Sequence, residues 1–131
     1  METVPTDREL EALKVLWQQG EATVREIYAQ INAGGNLAYT TVLSLLQTME
    51  QKGLAGHRKA GKAHRYFAKV ERESTFRTLA GGFLNRVFEG AVDEYLVHAL
   101  HSRRPSPEEI QRLETMIAEA KARSKRLREK K

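Results

Sequence analysis

Thr40, Thr41, Ser44 and Gln47 recur on one side of a stretch with helical spacing, and none of them is charged. Hydroxyls and amides both donate and accept hydrogen bonds, and threonine adds a methyl group. That chemistry meets base edges and thymine methyls in a DNA major groove. Tyr39 opens the stretch and Leu43 lies at the edge of the same side. An ordinary solvated helix face carries more Lys and Glu. A second set follows directly: between Gln51 and Val70 lie Lys52, Arg58, Lys59, Lys62, Arg65 and Lys69, with no acidic residue. Arg58, Lys59, Lys62 and Arg65 flank a glycine-containing turn. A hairpin there presents cations suited to phosphate oxygens, which give affinity rather than sequence reading. Either set alone is often plain surface; their order along the chain gives them weight.

Other chemistry is poorly supplied. Glu94, His98 and His101 fall at i, i+4 and i+7, where a divalent metal could bridge them, but this spacing often arises by chance and no metal is assigned. No nucleophile–base motif and no glycine-rich phosphate cradle is present, so neither catalysis nor a cofactor is expected. The chain has no cysteine, which excludes disulfides, thiolate metal sites and thiol redox sensing.

The elements that must position the two sets follow from caps and periodicity. Thr6 and Glu9 form a capping box ahead of Leu10, Leu13, Val15, Leu16 and Trp17, which predicts a helix over 7–19 stopped by Gly20. Thr23 and Glu26 form another ahead of Ile27, Tyr28 and Ile31. Val42, Leu45, Leu46 and Met49 set the buried stripe of a third helix, from 39 or 40 to 52. Residues 54–59 and 63–68 read as two strands around an Ala60-Gly61-Lys62 loop. Three short helices and a basic hairpin make a winged helix-turn-helix, whose third helix enters the major groove. Beyond residue 70, helices are expected over 71–88, interrupted at Gly81-Gly82, and over 91–101. A last one starts at Pro107, with Ser106 as N-cap and Glu109 at N3. The predicted fold class is mainly α: an α+β winged helix-turn-helix over 1–70, a helical segment over 71–120, and a basic tail over 121–131, disordered or a frayed helix.

The net charge of +5 sits in that tail. Lys121, Arg123, Lys125, Arg126, Arg128, Lys130 and Lys131 face Glu129 alone, which leaves the first 120 residues at −1. A basic tail attracts any polyanion. It supports a second reading, a winged-helix protein-interaction or RNA-binding module working through the tail. The first residues carry no basic-then-apolar leader and no apolar run approaches a membrane span, which predicts a cytoplasmic chain without membrane insertion.

Several stretches together resemble the penicillinase repressor family: residues 9–17, with Leu13, Leu16 and Trp17; Ala22-Thr23-Val24-Arg25-Glu26-Ile27-Tyr28; Leu37-Ala38-Tyr39-Thr40-Thr41-Val42-Leu43; residues 49–54; and Ala63-His64-Arg65-Tyr66. The likeness is looser at 83–88 and 106–110, extends to about Ile117, and leaves out the tail. The resemblance implies a repressor that binds an inverted-repeat operator in double-stranded DNA as a homodimer, controls a resistance or stress gene set, and answers to a sensor-linked protease. It also implies that the C-terminal helices interlock between two chains. Leu79, Phe83, Leu84, Val87, Tyr95, Leu96, Ile110, Leu113 and Ile117 fit that role, because three helices this short cannot bury them alone. Two departures limit the transfer. The cysteine cluster of the copper-responsive branch is missing. The Asn-Phe cut site of the β-lactam branch is replaced by Val97-His98-Ala99-Leu100. The start of the third helix has Thr40 and Leu43 where that branch carries charge, so a different operator sequence is expected.

Overall fold

The first two helices begin where a threonine side chain can satisfy amides that an α-helix leaves unpaired. In the computed structural model, which describes residues 3–129, Thr6 caps α1 (Asp7–Gln19) and Thr23 caps α2 (Val24–Ile31). In each case the N3 glutamate N–H donates to the threonine hydroxyl, and the threonine N–H donates back to the glutamate carboxylate. A third helix, α3 (Tyr39–Gln51), has Ala38 at its N-cap and no side-chain cap. Strands β1 (Ala22–Thr23), β2 (Ala55–Ala60) and β3 (Ala63–Ala68) form an antiparallel sheet in the order β1-β3-β2. Three helices follow: α4 (Arg72–Phe88), α5 (Val92–Ser102) and α6 (Pro107–Glu129). Ser106 and Glu109 close the start of α6 with a reciprocal pair of bonds. Lys130 and Lys131 of the basic tail lie outside the described residues.

The winged-helix order expected from the sequence is the one found, with differences at its edges. β1 is too short for alternation to reveal. It forms because β3 offers an edge, where Ala22 pairs with Tyr66 and Thr23 with Arg65. The hairpin loop is Gly61-Lys62 rather than three residues, because Ala60 pairs with Ala63. Gly61 takes φ +64°, a value that the first position of a two-residue turn requires and that glycine adopts without strain. The helix α4 runs unbroken through Gly81-Gly82. Each glycine lowers helix stability by about 1 kcal/mol, which does not stop a helix with good formers on both sides.

One compact unit ends at Phe83 and another begins at Leu84. The first is built on Leu13 and Leu16 from α1, Ile27 from α2, Val42, Leu46 and Met49 from α3, and Leu54, Ala55 and Tyr66 from the base of the hairpin. Full burial of each large side chain contributes about 1.5–3 kcal/mol. Trp17 attaches the start of α4: its indole N–H donates to the Val70 carbonyl at 2.9 Å, and its ring meets Phe76 edge-on at 5.7 Å. Phe67 lies across Gly56, where any Cβ would come within 2.8 Å of the ring.

One charge is inside this unit. Glu9 is 2% exposed. Its carboxylate accepts from Lys52 Nζ at 2.6 Å and from the Thr6 N–H at 2.9 Å, which ties the end of α3 to the start of α1. Burial pushes the Glu9 carboxyl up, but the Lys52 ammonium and the bonds from Thr6 together outweigh it and hold the group below its ordinary value of 4.5. A carboxyl lowered in the fold stabilises it above the unfolded-state value, and the contribution is lost as pH falls through the lowered one. Urea unfolding should therefore show stability declining below about pH 4.5. Glu9→Gln should be about 1–2 kcal/mol less stable at neutral pH and lose less on acidification. An acid profile identical to wild type would remove Glu9 from this role.

Candidate nucleic-acid interface

The helix α3 rests on its buried stripe, so its other side is fixed outward. Val42, Leu46 and Met49 are buried, and Leu43 and Leu45 are half-buried. Tyr39, Thr40, Thr41, Ser44 and Gln47 are all exposed, and Thr48 and Gln51 continue the row. The turn before the helix aims its first residues. Asn32 Oδ1 accepts from the Leu37 N–H at 2.8 Å. The ring of Tyr28 meets that of Tyr39 edge-on at 5.7 Å. The Arg25 guanidinium lies 5.8 Å from the Tyr39 ring centre, within cation–π range. Arg25 is exposed and was not among the residues expected from the sequence. A lone cation in the first turn of α2 becomes conspicuous only when α2 and α3 are packed.

The hairpin divides its four expected cations into two pairs. Arg58 and Arg65 stand directly opposite one another on β2 and β3, an arrangement in which like charges repel. Glu21, the residue before β1, lies between them. Its carboxylate accepts from Arg58 Nε at 2.9 and 3.0 Å and from Arg58 Nη2 at 2.7 Å. Arg65 Nε lies 3.5 Å from the same carboxylate, and its Nη1 is 3.8 Å from Glu26. The hydrogen bonds from Arg58 hold the Glu21 carboxyl below its ordinary value, and Glu21 raises Arg58 in return. Lys59 and Lys62 are exposed and form no ion pair among the described residues. On the other face of the hairpin His57 and His64 stack with ring centres 4.6 Å apart, and His57 Nδ1 lies 2.7 Å from Glu50 Oε1.

In the second unit, no described residue of α5 or α6 is buried. Leu84, Leu96 and Leu113 are half-buried, while Val87, Tyr95, Ile110 and Ile117 are exposed. In the first unit Leu79 is half-buried and Phe83 exposed. Val92, Val97, Leu100 and Met116 add further exposed apolar surface. Glu94, His98 and His101 are exposed, and His98 lies 5.6 Å from the Phe88 ring. Among the described residues, no three His, Asp or Glu side chains are grouped to hold a metal ion, and no helix is long and apolar enough to cross a membrane.

A sequence model described as penicillinase repressor matches residues 5–119 of the chain. The penicillinase repressor of Bacillus licheniformis is 26% identical over 127 residues, which cover 95% of this chain and 99% of that protein. The transcriptional regulator BlaI of Mycobacterium tuberculosis is 30% identical over 118 residues, 88% of this chain and 84% of that one. In fold the chain is similar to the crystal structure of the YusO protein from Bacillus subtilis, with TM-score 0.53 and 18% identity over 89% of this chain and 74% of that one. The basic tail lies beyond the residues that the family model matches.

The Asn32 bond spans the turn into α3 and gives that turn a direct test. Asn32→Ala strands the Leu37 N–H and should lower unfolding free energy by about 1 kcal/mol in urea titration. Hydrogen exchange should quicken at Leu37 and in the first turn of α3, while the end of α3 keeps its protection.

Proposed function

Because the chain belongs to the penicillinase repressor family, as its motifs indicated, we propose that this DNA-binding transcriptional repressor reads its operator with the outer face of α3, grips the flanking backbone with its wing, and works as a homodimer. The family is one of repressors rather than enzymes. The observation that carries the reading is the uncharged row Tyr39, Thr40, Thr41, Ser44 and Gln47, with Leu43 at its edge, held outward on a helix whose other side is the core. Hydroxyls, an amide and methyls on such a face suit base edges, and a face without charge does not repel or trap phosphates indiscriminately. Arg58, Lys59, Lys62 and Arg65 supply backbone attraction, and Arg25 adds a cation beside the start of α3.

The dimer follows from surface that a lone chain leaves wet. Val87, Ile110 and Ile117 are 51%, 43% and 51% exposed, and a second copy is the partner that covers such a surface by two-fold symmetry. A two-fold dimer matches an inverted-repeat operator. By analogy with the Bacillus penicillinase repressor, the regulated genes belong to a resistance or stress set. A sensor-linked protease fits the same reading, acting on a sequence other than Asn-Phe, and the site of action is the cytoplasm.

Gel shifts with the DNA upstream of the chain's own gene should show sequence-preferring binding at moderate salt. Lys62→Ala should weaken binding to every sequence and reduce the salt slope by about 0.9. Thr41→Ala should instead change base preference, by about 1 kcal/mol at the position it meets. Loss of all binding on removing residues 121–131 would favour the tail-based module instead. Sedimentation offers a separate check on assembly. Ile117→Glu should turn a dimer into a monomer with its helix content kept, whereas a truly solvated Ile117 would tolerate the change within about 0.5 kcal/mol.

A further inference from the structure

We propose that the Glu21 carboxylate is an internal stand-in for a DNA phosphate, seated between Arg58 and Arg65 in the free protein and displaced when DNA binds. The proposal rests on the DNA-binding reading above and adds to it a residue that sets how readily the wing engages any DNA. Arg58 presents Nε and Nη2 to Glu21 as a fork, at 2.7–3.0 Å, and a guanidinium fork accepts a carboxylate or a phosphate in the same bidentate way. Arg58 and Arg65 are cross-strand partners, so an anion between them relieves their repulsion in the free protein and on DNA alike.

Exposure separates this contact from a permanent brace. The side chains of Arg58 and Glu21 are 55% and 34% exposed, whereas Lys52 and Glu9, which join α3 to α1, are 29% and 3% exposed. An exposed ion pair is weakly held and open to exchange. Arg65 also keeps a hydrogen bond to the Glu21 carbonyl at 3.5 Å and an ion pair with the Glu26 carboxylate at 3.8 Å. The seat therefore stays tethered to β1 and α2 when the Glu21 carboxylate leaves it. A phosphate entering the seat must displace a carboxylate first. That competition lowers the affinity of the wing for DNA of any sequence and leaves base contacts from α3 to make up the difference at an operator.

The test uses the full chain and a labelled duplex of random sequence, titrated from about 50 to 200 mM salt. Glu21→Gln keeps the size of the side chain and removes its charge. It should bind several-fold more tightly at the low-salt end with the salt slope unchanged, because the same phosphates are met once the seat is open. Arg58→Ala in the Glu21→Gln background should abolish most of that gain. Glu11→Gln removes one acid from an exposed pair with Arg8 and should give no comparable gain in affinity, which separates the seat from net charge. Arg58→Ala alone should give a shallower slope than wild type, and this arm stands even if Glu21→Gln fails to fold. Equal or weaker binding by a folded Glu21→Gln, or an unchanged slope for Arg58→Ala, overturns the stand-in while the DNA-binding reading survives. Failure of the wild type to bind any DNA overturns both.

Discussion

Burial of one stripe on α3 is the constraint from which the candidate interface follows. Val42, Leu46 and Met49 have no exposure at all, and they can be buried only if the helix presents its opposite side to solvent. The outward direction of Thr40, Thr41, Ser44 and Gln47 therefore depends on apolar contacts made on the far side of the same helix. Tyr39 is aimed more locally, by Tyr28 and by the Asn32 bond across the preceding turn. A rigid helix resting on a core holds its polar side chains in fixed register, which a reader of base edges requires.

Charge does two different jobs in the same unit. The Glu9–Lys52 pair is largely removed from water and joins two helix ends that are 43 residues apart in the chain. Loss of Lys52 would leave a buried carboxylate without a countercharge. The Glu21 network is open to solvent and relieves two arginines that strand pairing forces together. Both are acid–base pairs at hydrogen-bond distance, and burial is what distinguishes a structural tie from an exchangeable one. Lys59 and Lys62, closer to the turn, lie outside either network.

The second unit has the opposite character. Its helices are well formed and its side chains are largely uncovered. Helix α6 is 23 residues long, and a long helix with exposed Ile110, Met116 and Ile117 gains little from packing within its own chain. Such a surface suits burial against a second copy, as in the proposed dimer.

Features set by neighbours within about four residues were legible from the sequence by itself. The capping boxes at Thr6 and Thr23, the Ser106 start of α6, the stripe of α3 and the glycine of the hairpin turn all act through local bonds and helical or strand period. Their order, with the Ala38-Tyr39-Thr40-Thr41-Val42 stretch, was enough to indicate the penicillinase repressor family, whose sequence model matches residues 5–119. What only the tertiary structure decided involves residues far apart in the chain. β1 exists because β3 supplies an edge, Arg25 matters because Tyr39 lies over it, and Glu21 joins the wing from 37 residues away. Period and capping report which way a side chain points. They carry no information about which distant charge it meets, because that is fixed only when the core brings the elements together.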